Sequence, residues 1–559
     1  MAPILCDLCR DIVFSQANAR TEGEETININ SWDPLDELTQ LDALLARLTI
    51  KREELKGKIN RIYSPIIRQL PPDVMSIIFE FCLLDFTKFY RSPSRSDLCI
   101  PLTLGAVCKY WREIAWSTPS LWSSLIVDVS RTSHPTIAQE WLARSGQLPL
   151  SIRIISKPHI FFTPVHRVAE LADITNQYST RWSHFELCLP QSHYRYFHPS
   201  DNHAPILKTI RFHNYSDVDV APEHNTDFHL TCPRLQRAFL SQLQMNRIHI
   251  QWDNLTHLYL HQIRMADCLF ILRKTPRLVF CSFSSWYGFG VSPPVAPTLT
   301  SLRCLRVKIT DSSAQGFFEY LICPQLEELS LSSTGNFAAP PGLISSHISR
   351  PACSLRSFSI TDTFIPGSGG LVIGDIVTLL TLMPSLKKLS ITLLCKSSPP
   401  GYFDSWNILQ VLAKVLSSQS TGLPQGFLPN LESLEYTGKL CLRPGNYADL
   451  YSFPPINNVI LPLRVFKLDL DLYPATRIPA NAISFFLGLV EQGLTVNVLS
   501  KSEDLLQSSI KYYGHREECL RRDWVDDLDL TLMSWFLCRD SLCIQSQRWY
   551  MYAKVIMIM

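Results

Sequence analysis

The sequence has no pattern typical of a membrane protein or of a secreted disulfide-linked protein. It contains no run of 18 apolar residues, so no segment is predicted to cross a bilayer. The 17 cysteines are odd in number, and residues such as Cys188 and Cys281 stand alone within apolar runs, which is typical of buried thiols in a reducing compartment. The first residues lack the basic and apolar regions of a secretory signal. These absences favour a cytoplasmic and/or nuclear protein with no membrane partner.

The sequence also lacks an excess of charge of either sign. Lys and Arg number 52, and Asp and Glu number 50, so the formal net charge is +2. Because nucleic-acid phosphates are usually bound by a strongly basic surface, we expect no nucleic-acid partner. Hydrophobic residues make up 46% of the 559 residues, which is enough for several cores or for one long repeat array.

Motifs for catalysis and for cofactors are missing as well. Cys6 and Cys9 form half of a zinc motif, but no second pair follows at close spacing. Residues 366–370 precede a predicted helix without the Gly-Lys-Ser/Thr ending of a phosphate loop. Six histidines have irregular spacings that favour loop residues over metal ligands: His193, His198, His203, His213, His224 and His229. We therefore expect no catalytic residue, no cofactor and no metal, although a triad scattered along the chain would leave no pattern.

Residues 70–122 predict a small helical unit. The residue before a proline avoids the α region, while Pro72 and Asp73 suit a first helical turn. Apolar residues then recur at helical spacing in two runs, which a polar stretch at 91–97 separates. The first run contains Val74, Ile77, Ile78, Phe81 and Cys82, and the second contains Leu104, Val107, Cys108, Trp111, Ile114 and Ala115.

This unit resembles an F-box, in which Leu-Pro, a helix with paired aliphatic residues, Val-Cys-x-x-Trp-Arg and Leu-Trp follow in that order. The resemblance implies docking on a Skp-type adaptor and, through it, on a cullin–RING ubiquitin ligase (an SCF complex). By position, the adaptor-binding residues would be Leu70, Pro71, Ile77, Ile78, Val107, Cys108 and Trp111. The link at 86–101 is longer than in the compact motif. The alternative is a helical hairpin that caps the next domain.

A second resemblance follows at residues 140–150, which read EWLARSGQLPL. This run is similar to a junction that follows the F-box in many proteins of mushroom-forming (basidiomycete) fungi. It adds weight to the F-box resemblance as a family likeness.

Before this unit, residues 33–62 predict a helix with a heptad seam. The seam contains Leu38, Leu41, Leu45, Leu48, Leu55, Ile59 and Ile62, with Arg52 in the one gap. Such a seam predicts either a coiled coil that forms a homodimer or docks on a partner, or one amphipathic helix folded against the helical unit.

From residue 204 the template Leu-x-x-Leu-x-Leu recurs at steps of 20 to 45 residues. Its first positions are Leu207, Leu235, Leu255, Leu278, Leu302, Leu326, Leu355, Leu386, Leu431 and Leu463. A short strand per unit at this period is typical of leucine-rich repeats, whose units stack because none can bury its own face. The steps drift, so the repeats are irregular. An ordinary α/β sheet with leucine-rich strands is the alternative.

Strand alternation predicts which residues face outward in these repeats. With the leucines inward, the second, fourth and sixth residues after each first position lie on the concave side. They include Arg237, Phe239, His257, Tyr259, His261, Arg306, Lys308, Glu328, Lys388 and Lys467. Tyr259, Arg306 and Lys308 are the candidate binding site for a protein substrate; the alternative is that they are ordinary solvated residues.

The predicted fold is α/β overall: an N-terminal helix, a small all-α F-box and a leucine-rich-repeat-like solenoid, or horseshoe. The predicted regions are a loosely ordered 1–32, a heptad helix at 33–65, an F-box at 66–122, a junction at 123–203, repeats at 204–500 and a tail at 501–559. The predicted function is a non-catalytic substrate receptor of an SCF ubiquitin ligase, acting in ubiquitin-dependent protein degradation. The alternative is an interaction scaffold without a ligase role.

Overall fold

The computed structural model shows helices followed by a succession of parallel strands. It describes residues 34–63, 70–83, 100–130, 134–156, 165–199, 201–215, 227–287, 297–309, 321–334, 354–364, 379–395, 428–438, 462–470, 478, 480–500 and 503–522. Predictions for 1–32, for Cys6 and Cys9, for most of the 86–101 link, for 366–370 and for the tail beyond 522 lie outside these residues.

The chain forms two compact units. Unit one contains residues 1–402 and 422–432, and unit two contains residues 403–421 and 433–559. Among the helices that the structure describes, none combines the length and the apolar content that crossing a membrane would take.

Unit one begins with helix α1, Pro34–Tyr63. Asp36 and Glu37 lie in its first turn, where the helix dipole favours negative charge. The apolar residues of the heptad seam are 48–61% exposed. The seam therefore forms an apolar stripe on the surface of α1.

Three short helices follow, and we call residues 70–122 the three-helix region. They are α2 at Pro72–Glu80, α3 at Ile100–Val107 and α4 at Lys109–Ser117, with a 3-10 turn at Pro119–Trp122. Trp122 is buried, and its indole N–H donates to the carbonyl oxygen of Ala115 at 2.8 Å. This bond fixes the 3-10 turn against α4 and orders the start of the next strand.

The strands of unit one alternate with loops and short helices. In chain order they are β1 Ser124–Asp128, β2 Leu150–Ile155, β3 Trp182–Cys188, β4 Thr209–His213, β5 Phe228–Leu230, β6 Arg237–Ser241, β7 Ile248–Ile250, β8 His257–Arg264, β9 Phe280–Tyr287, β10 Cys304–Ile309, β11 Glu328–Thr334, β12 Ser357–Phe364 and β13 Lys388–Cys395. Helices α5 (His134–Arg144), α6 (Val165–Asn176) and α7 (Met265–Arg273) lie between β1 and β2, β2 and β3, and β8 and β9.

The strands of unit one pair in two sheets. In the main sheet the order is β1-β2-β3-β4-β6-β8-β9-β10-β11-β12-β13, and every neighbouring pair is parallel. Strands β5 and β7 form a separate parallel pair. The spatial order follows the chain order, as expected when each repeat adds one strand beside the previous one.

The core of the sheet is built from the leucines of the template. All ten first-position leucines are buried, and so are the residues three and five places later in the central strands, such as Leu258 and Leu260. Each fully buried leucine side chain contributes about 2 kcal/mol of transfer free energy. The predicted inward positions are therefore confirmed.

Unit two has the same strand type. Strands β14 (Ser433–Gly438), β15 (Val465–Leu470) and β16 (Thr495–Ser500) are parallel, and β17 (Glu503–Asp504) pairs antiparallel with β16. Helices α8 (Ala480–Glu491) and α9 (Leu505–Arg522) accompany them.

The architecture is thus mixed α/β with a long parallel sheet, which is consistent with a leucine-rich-repeat-like solenoid. Strands β1–β3 lie within the stretch predicted as a junction, so the sheet starts before the template becomes readable. The interpretation of loop histidines is wrong for His213 and His229, which lie on β4 and β5. Buried neighbours such as Phe212 and Phe228 hold these positions in strands, although the surrounding composition resembles a loop.

Candidate functional site: two protein-interaction surfaces

The first surface lies on the three-helix region, where apolar side chains face solvent. Ile77 is 52% exposed and Val107 is 57% exposed, and Val74, Ile78 and Phe81 are exposed as well. We call these five residues the helical apolar patch. Several exposed apolar side chains within one small helical region are a feature of many interaction sites.

Packing beneath the patch fixes the helices that carry it. Met75 and Phe79 of α2 are buried, and the ring of Phe79 lies 4.9 Å from that of Trp111 on α4. The Tyr110 hydroxyl donates to the carbonyl oxygen of Leu70 at 3.4 Å. These contacts place the start of α2 beside α4.

Cys108 has a local structural role at the start of α4. Its backbone is extended, and its Sγ accepts a hydrogen bond from the backbone N–H of Trp111 at 3.4 Å. The thiol thus caps a helix that has no oxygen-bearing side chain at this position.

The residues predicted to bind an adaptor differ in exposure. Pro71, Ile77, Ile78 and Val107 are exposed, whereas Leu70, Cys108 and Trp111 are half-buried. The structure brings Leu70, Cys108 and Trp111 together at the α2–α4 contact and leaves the aliphatic residues open to solvent.

The second surface is the outward side of the main sheet. Parallel pairing in register aligns one residue per strand into rows that cross the sheet. The central row contains Arg153, Glu186, Arg211, Phe239, Tyr259, Ser282 and Arg306. We call the outward side of β2–β10 the open face.

Aromatic rings form the middle of the open face. Phe239 and Tyr259 stack with ring centroids 4.2 Å apart and planes 8° apart, and Tyr259 lies 5.0 Å from Phe280. We call these three residues the aromatic ladder. Stacked side chains of neighbouring strands stabilise the sheet and present a large, rigid apolar surface.

Guanidinium groups flank the ladder at both ends. Arg211 lies over Phe239, with Cζ 4.5 Å from the ring centroid, and Arg306 lies over Phe280 at 5.2 Å. Such cation–π contacts keep the charges beside the rings. Beyond Arg211, the Glu186 carboxylate accepts from Arg153 at 2.7 Å, so the row ends in an ion pair.

The three residues predicted for substrate binding fall on one continuous surface. Tyr259 and Arg306 are joined through Phe280, which contacts both. Lys308 lies in the next row, in register with Ser284 and His261. Phe280 was missing from the prediction, although the position rule gives it as the second residue after Leu278.

Other residues of the open face precede the readable repeats. Arg153 and Glu186 lie on β2 and β3, before the first template leucine. Position counting from a leucine could not find them. A shallow depression on the same face is lined by residues of β2, β3, β4 and β6, among them His184, Thr209 and Arg237.

The pKa values of two histidines on the open face reflect their burial and the positive charges near them. Burial lowers the pKa of His257, and the positive charge of Arg237 lowers it further. Burial likewise lowers the pKa of His261; a hydrogen bond with the backbone of Ser284 opposes this shift, and Lys308 adds to it. Cations are thus close enough to disfavour further positive charge.

Lys467, also predicted to face outward, belongs to unit two. Its Nζ lies 2.6 Å from Oε1 of Glu435 on the neighbouring strand, and this hydrogen bond raises its pKa. Lys467 is therefore engaged in a cross-strand pair within its own unit.

Similarity to known proteins is found among solved structures. No family model matches the chain, and no curated protein matches it. Among solved structures, the chain is similar to the protein in a crystal structure of a TLR13–ssRNA13 complex, with 13% sequence identity and a TM-score of 0.30. The match covers 68% of this chain and 52% of the other, so the chain spans about half of that protein's length. A similarity this low supports no conclusion about function.

Proposed function

We propose that this protein is an F-box substrate receptor of a cullin–RING ubiquitin ligase. In this proposal the three-helix region docks on a Skp-type adaptor, and the open face binds a protein substrate. The protein itself carries out no catalysis. The helical apolar patch is the observation that carries the proposal, because its side chains lie on the helices whose sequence resembles an F-box.

The exposed aliphatic residues and the packed aromatic residues of the three-helix region support the adaptor role. Protein interfaces draw most of their binding energy from a few apolar anchors, each worth about 2 kcal/mol or more when truncated. Ile77 and Val107 are available as such anchors, while Phe79 and Trp111 pack behind them and fix the backbone.

Replacing Leu70 and Pro71 by Ala tests the adaptor proposal. Full-length parent and double variant would be co-purified with a Skp-type adaptor and assayed for retained cullin. We expect adaptor recovery to fall more than about tenfold while the sheet stays folded, since both positions lie at one edge of the three-helix region.

A matched control removes apolar surface elsewhere. Leu148 and Val165 are 39% and 45% exposed and lie outside the three-helix region. The L148A/V165A variant should keep the adaptor. Equal recovery of adaptor by the L70A/P71A variant and the parent would overturn the F-box proposal.

The open face supports a second candidate function, an interaction scaffold without a ligase role. The aromatic ladder with its flanking cations forms a binding surface that needs no adaptor. If the parent never recovers an adaptor but loses its protein partners on replacement of Tyr259, Arg306 and Lys308 by Ala, the scaffold function is correct.

For either function, we propose that the open face takes an acidic segment of a partner protein. Aromatic residues and Arg are the usual hot-spot types, and Arg237, Arg306 and Lys308 supply positive charge. Proximity labelling with the Y259A/R306A/K308A variant should lose partners and keep the adaptor. An unchanged partner list would place recognition elsewhere on the protein.

We also propose that α1 pairs with a second copy of itself. Its heptad residues, including Leu45 at 61% and Leu48 at 56% exposure, form an exposed apolar stripe along a helix of 30 residues. The L45D/L48D variant should convert a dimer into a monomer, because buried charges would be unpaired at the seam. A monomeric parent in a sizing experiment would contradict this pairing.

A further inference from the structure

The small sheet formed by β5 and β7 brings together two histidines that are 20 positions apart in sequence. Parallel register places His229 directly opposite His249. Their neighbours Phe228, Leu230, Ile248 and Ile250 are buried, so strand alternation turns both imidazoles to the outside. The two rings stack with centroids 4.4 Å apart and planes 14° apart.

Asp227 completes a three-residue cluster with these histidines. Its Oδ2 lies 3.5 Å from Nε2 of His249, and the ligand atoms available on the three residues all lie within 4.8 Å of one another. Around a tetrahedral zinc ion with bonds of about 2.0–2.1 Å, neighbouring ligand atoms are about 3.3 Å apart. The aspartate–histidine edge is already close to that spacing.

Small side-chain rotations would bring the remaining atoms into the same sphere. The outer torsion of a histidine side chain is broad, and all three side chains are accessible to solvent, which leaves room for such rotations. The backbone, in contrast, is held by the buried residues on either side of each histidine. The cluster therefore has a backbone that is held in place and side chains that can rotate to bind an ion.

We propose that Asp227, His229 and His249 bind a divalent transition-metal ion of the zinc class. Two imidazoles and one carboxylate suit zinc, cobalt or nickel and do not suit calcium or magnesium, which prefer all-oxygen sites. The three protein ligands leave at least one coordination position for solvent. The bound ion would clip β5 to β7 and so join two successive repeats.

This site lies apart from the open face and leaves no signal in the sequence. Position counting searches for ligands on one helix or at short spacing, whereas His249 reaches His229 only because one repeat separates paired strands. Asp227, two residues before His229 on the same chain segment, would look like an ordinary surface acid.

Cobalt(II) is the probe of choice because the chain also has 17 cysteines. Imidazole and carboxylate ligation gives weak visible d–d bands without the near-ultraviolet thiolate charge-transfer band. Metal-free full-length protein would be titrated with Co²⁺, and zinc affinity would then be measured by competition with a chromophoric chelator. We expect one equivalent of non-thiolate metal and a rise in unfolding temperature on binding.

Variants decide whether the named residues hold the ion. H249A and the H229A/H249A double variant should lose the cobalt signal and the thermal stabilisation, and D227N should weaken binding at least tenfold. H198A, which removes an exposed histidine outside the cluster, should bind as the parent does. Far-ultraviolet circular dichroism would confirm that each variant is folded; H249Q replaces H249A if it is not.

Three outcomes would overturn the site. The first is a parent that takes up no cobalt, or only several weak equivalents that vary with protein preparation. The second is a folded H229A/H249A variant that binds one equivalent as tightly as the parent. A thiolate charge-transfer band that accounts for all bound metal would also assign the ion to cysteines and exclude this cluster.

Discussion

The main sheet and the helices of unit one place the same kinds of residue in opposite environments. In the sheet, Leu305 and Leu329 have 0% and 1% of their surface exposed. In α1 and α2, Leu45 and Ile77 are 61% and 52% exposed. The sheet buries its apolar residues between stacked repeats, whereas the helices leave residues of the same kind exposed. The leucines of the sheet therefore stabilise the fold, and the exposed residues of the helices contribute little to it.

Replacing one buried leucine of the sheet should have the largest effect on stability. Leu305→Ala removes a side chain with no exposed surface from β10 and leaves a cavity, so we expect a loss of about 2–5 kcal/mol in the free energy of unfolding. Urea denaturation of the full chain measures it. The matched Ile77→Ala change in α2 should cost less than about 0.5 kcal/mol. Equal losses would show that Ile77 is covered within the single chain.

Two glycines test packing within the helices. A Cβ at Gly105 of α3 would overlap the ring of Trp116, whereas a Cβ at Gly57 of α1 would meet nothing within 4 Å. Gly105→Ala should therefore cost about 1–3 kcal/mol through overpacking. Gly57→Ala should stabilise α1 by about 0.5–1 kcal/mol, since alanine is the better helix former. Thermal unfolding followed by circular dichroism distinguishes the two, and a neutral Gly105→Ala would mean that Trp116 can move aside.

The template leucines could be predicted because they repeat along the chain. Each first position, from Leu207 to Leu463, is buried as position counting requires. Pairing across strands could not be predicted in the same way, since the loops between repeats differ in length. The register places Phe280 opposite His257 and Cys304, and only the ring contacts identify it as the bridge between Tyr259 and Arg306. Sequence therefore predicts which residues point inward, whereas the side-chain contacts show which outward residues meet.

For the helices, sequence analysis predicts an apolar face but not the partner that binds to it. The pattern predicts the heptad seam of α1 and the apolar face of α2, and the structure places the seam and Val74, Ile77, Ile78 and Phe81 at the surface. A periodic stripe defines a face without identifying what covers it. The partners of α1 and of the helical apolar patch are therefore proposals.

The open face should make stability depend on pH near neutrality. His213, His257 and His261 each have a pKa lowered mainly by burial, so below about pH 6.5 the unfolded chain binds more protons than the folded one. Their contribution is complete above that pH and is lost as the pH falls through the lowered values. We expect the free energy of unfolding to decrease between pH 7.5 and 5.5.

Single histidine variants isolate this dependence from that of the carboxylates. His257→Gln should flatten the pH profile between 7.5 and 5.5, whereas His198→Gln, at an exposed position outside the open face, should leave it unchanged. Urea titrations at several pH values provide the comparison. An identical slope for the parent and the His257→Gln variant would mean that neither burial nor the charge of Arg237 lowers the pKa of this residue enough to affect stability.

Cysteine alkylation should give the smallest perturbation and the finest contrast between the two regions. Cys82, just after α2, is exposed, while Cys268 and Cys281 are buried, and burial raises the pKa of both buried thiols. Cys304 is intermediate, since burial and the nearby Glu328 raise its pKa to about 11. Because the thiolate is the reactive form, a short iodoacetamide pulse on the native chain should label Cys82 first, Cys304 slowly and Cys281 last. Peptide mass spectrometry measures the labelled fraction of each cysteine, and the same pulse in urea should abolish the differences.

Rapid native labelling of Cys281 would contradict the burial of the sheet core. Protection of Cys82 would indicate a partner already bound to the three-helix region.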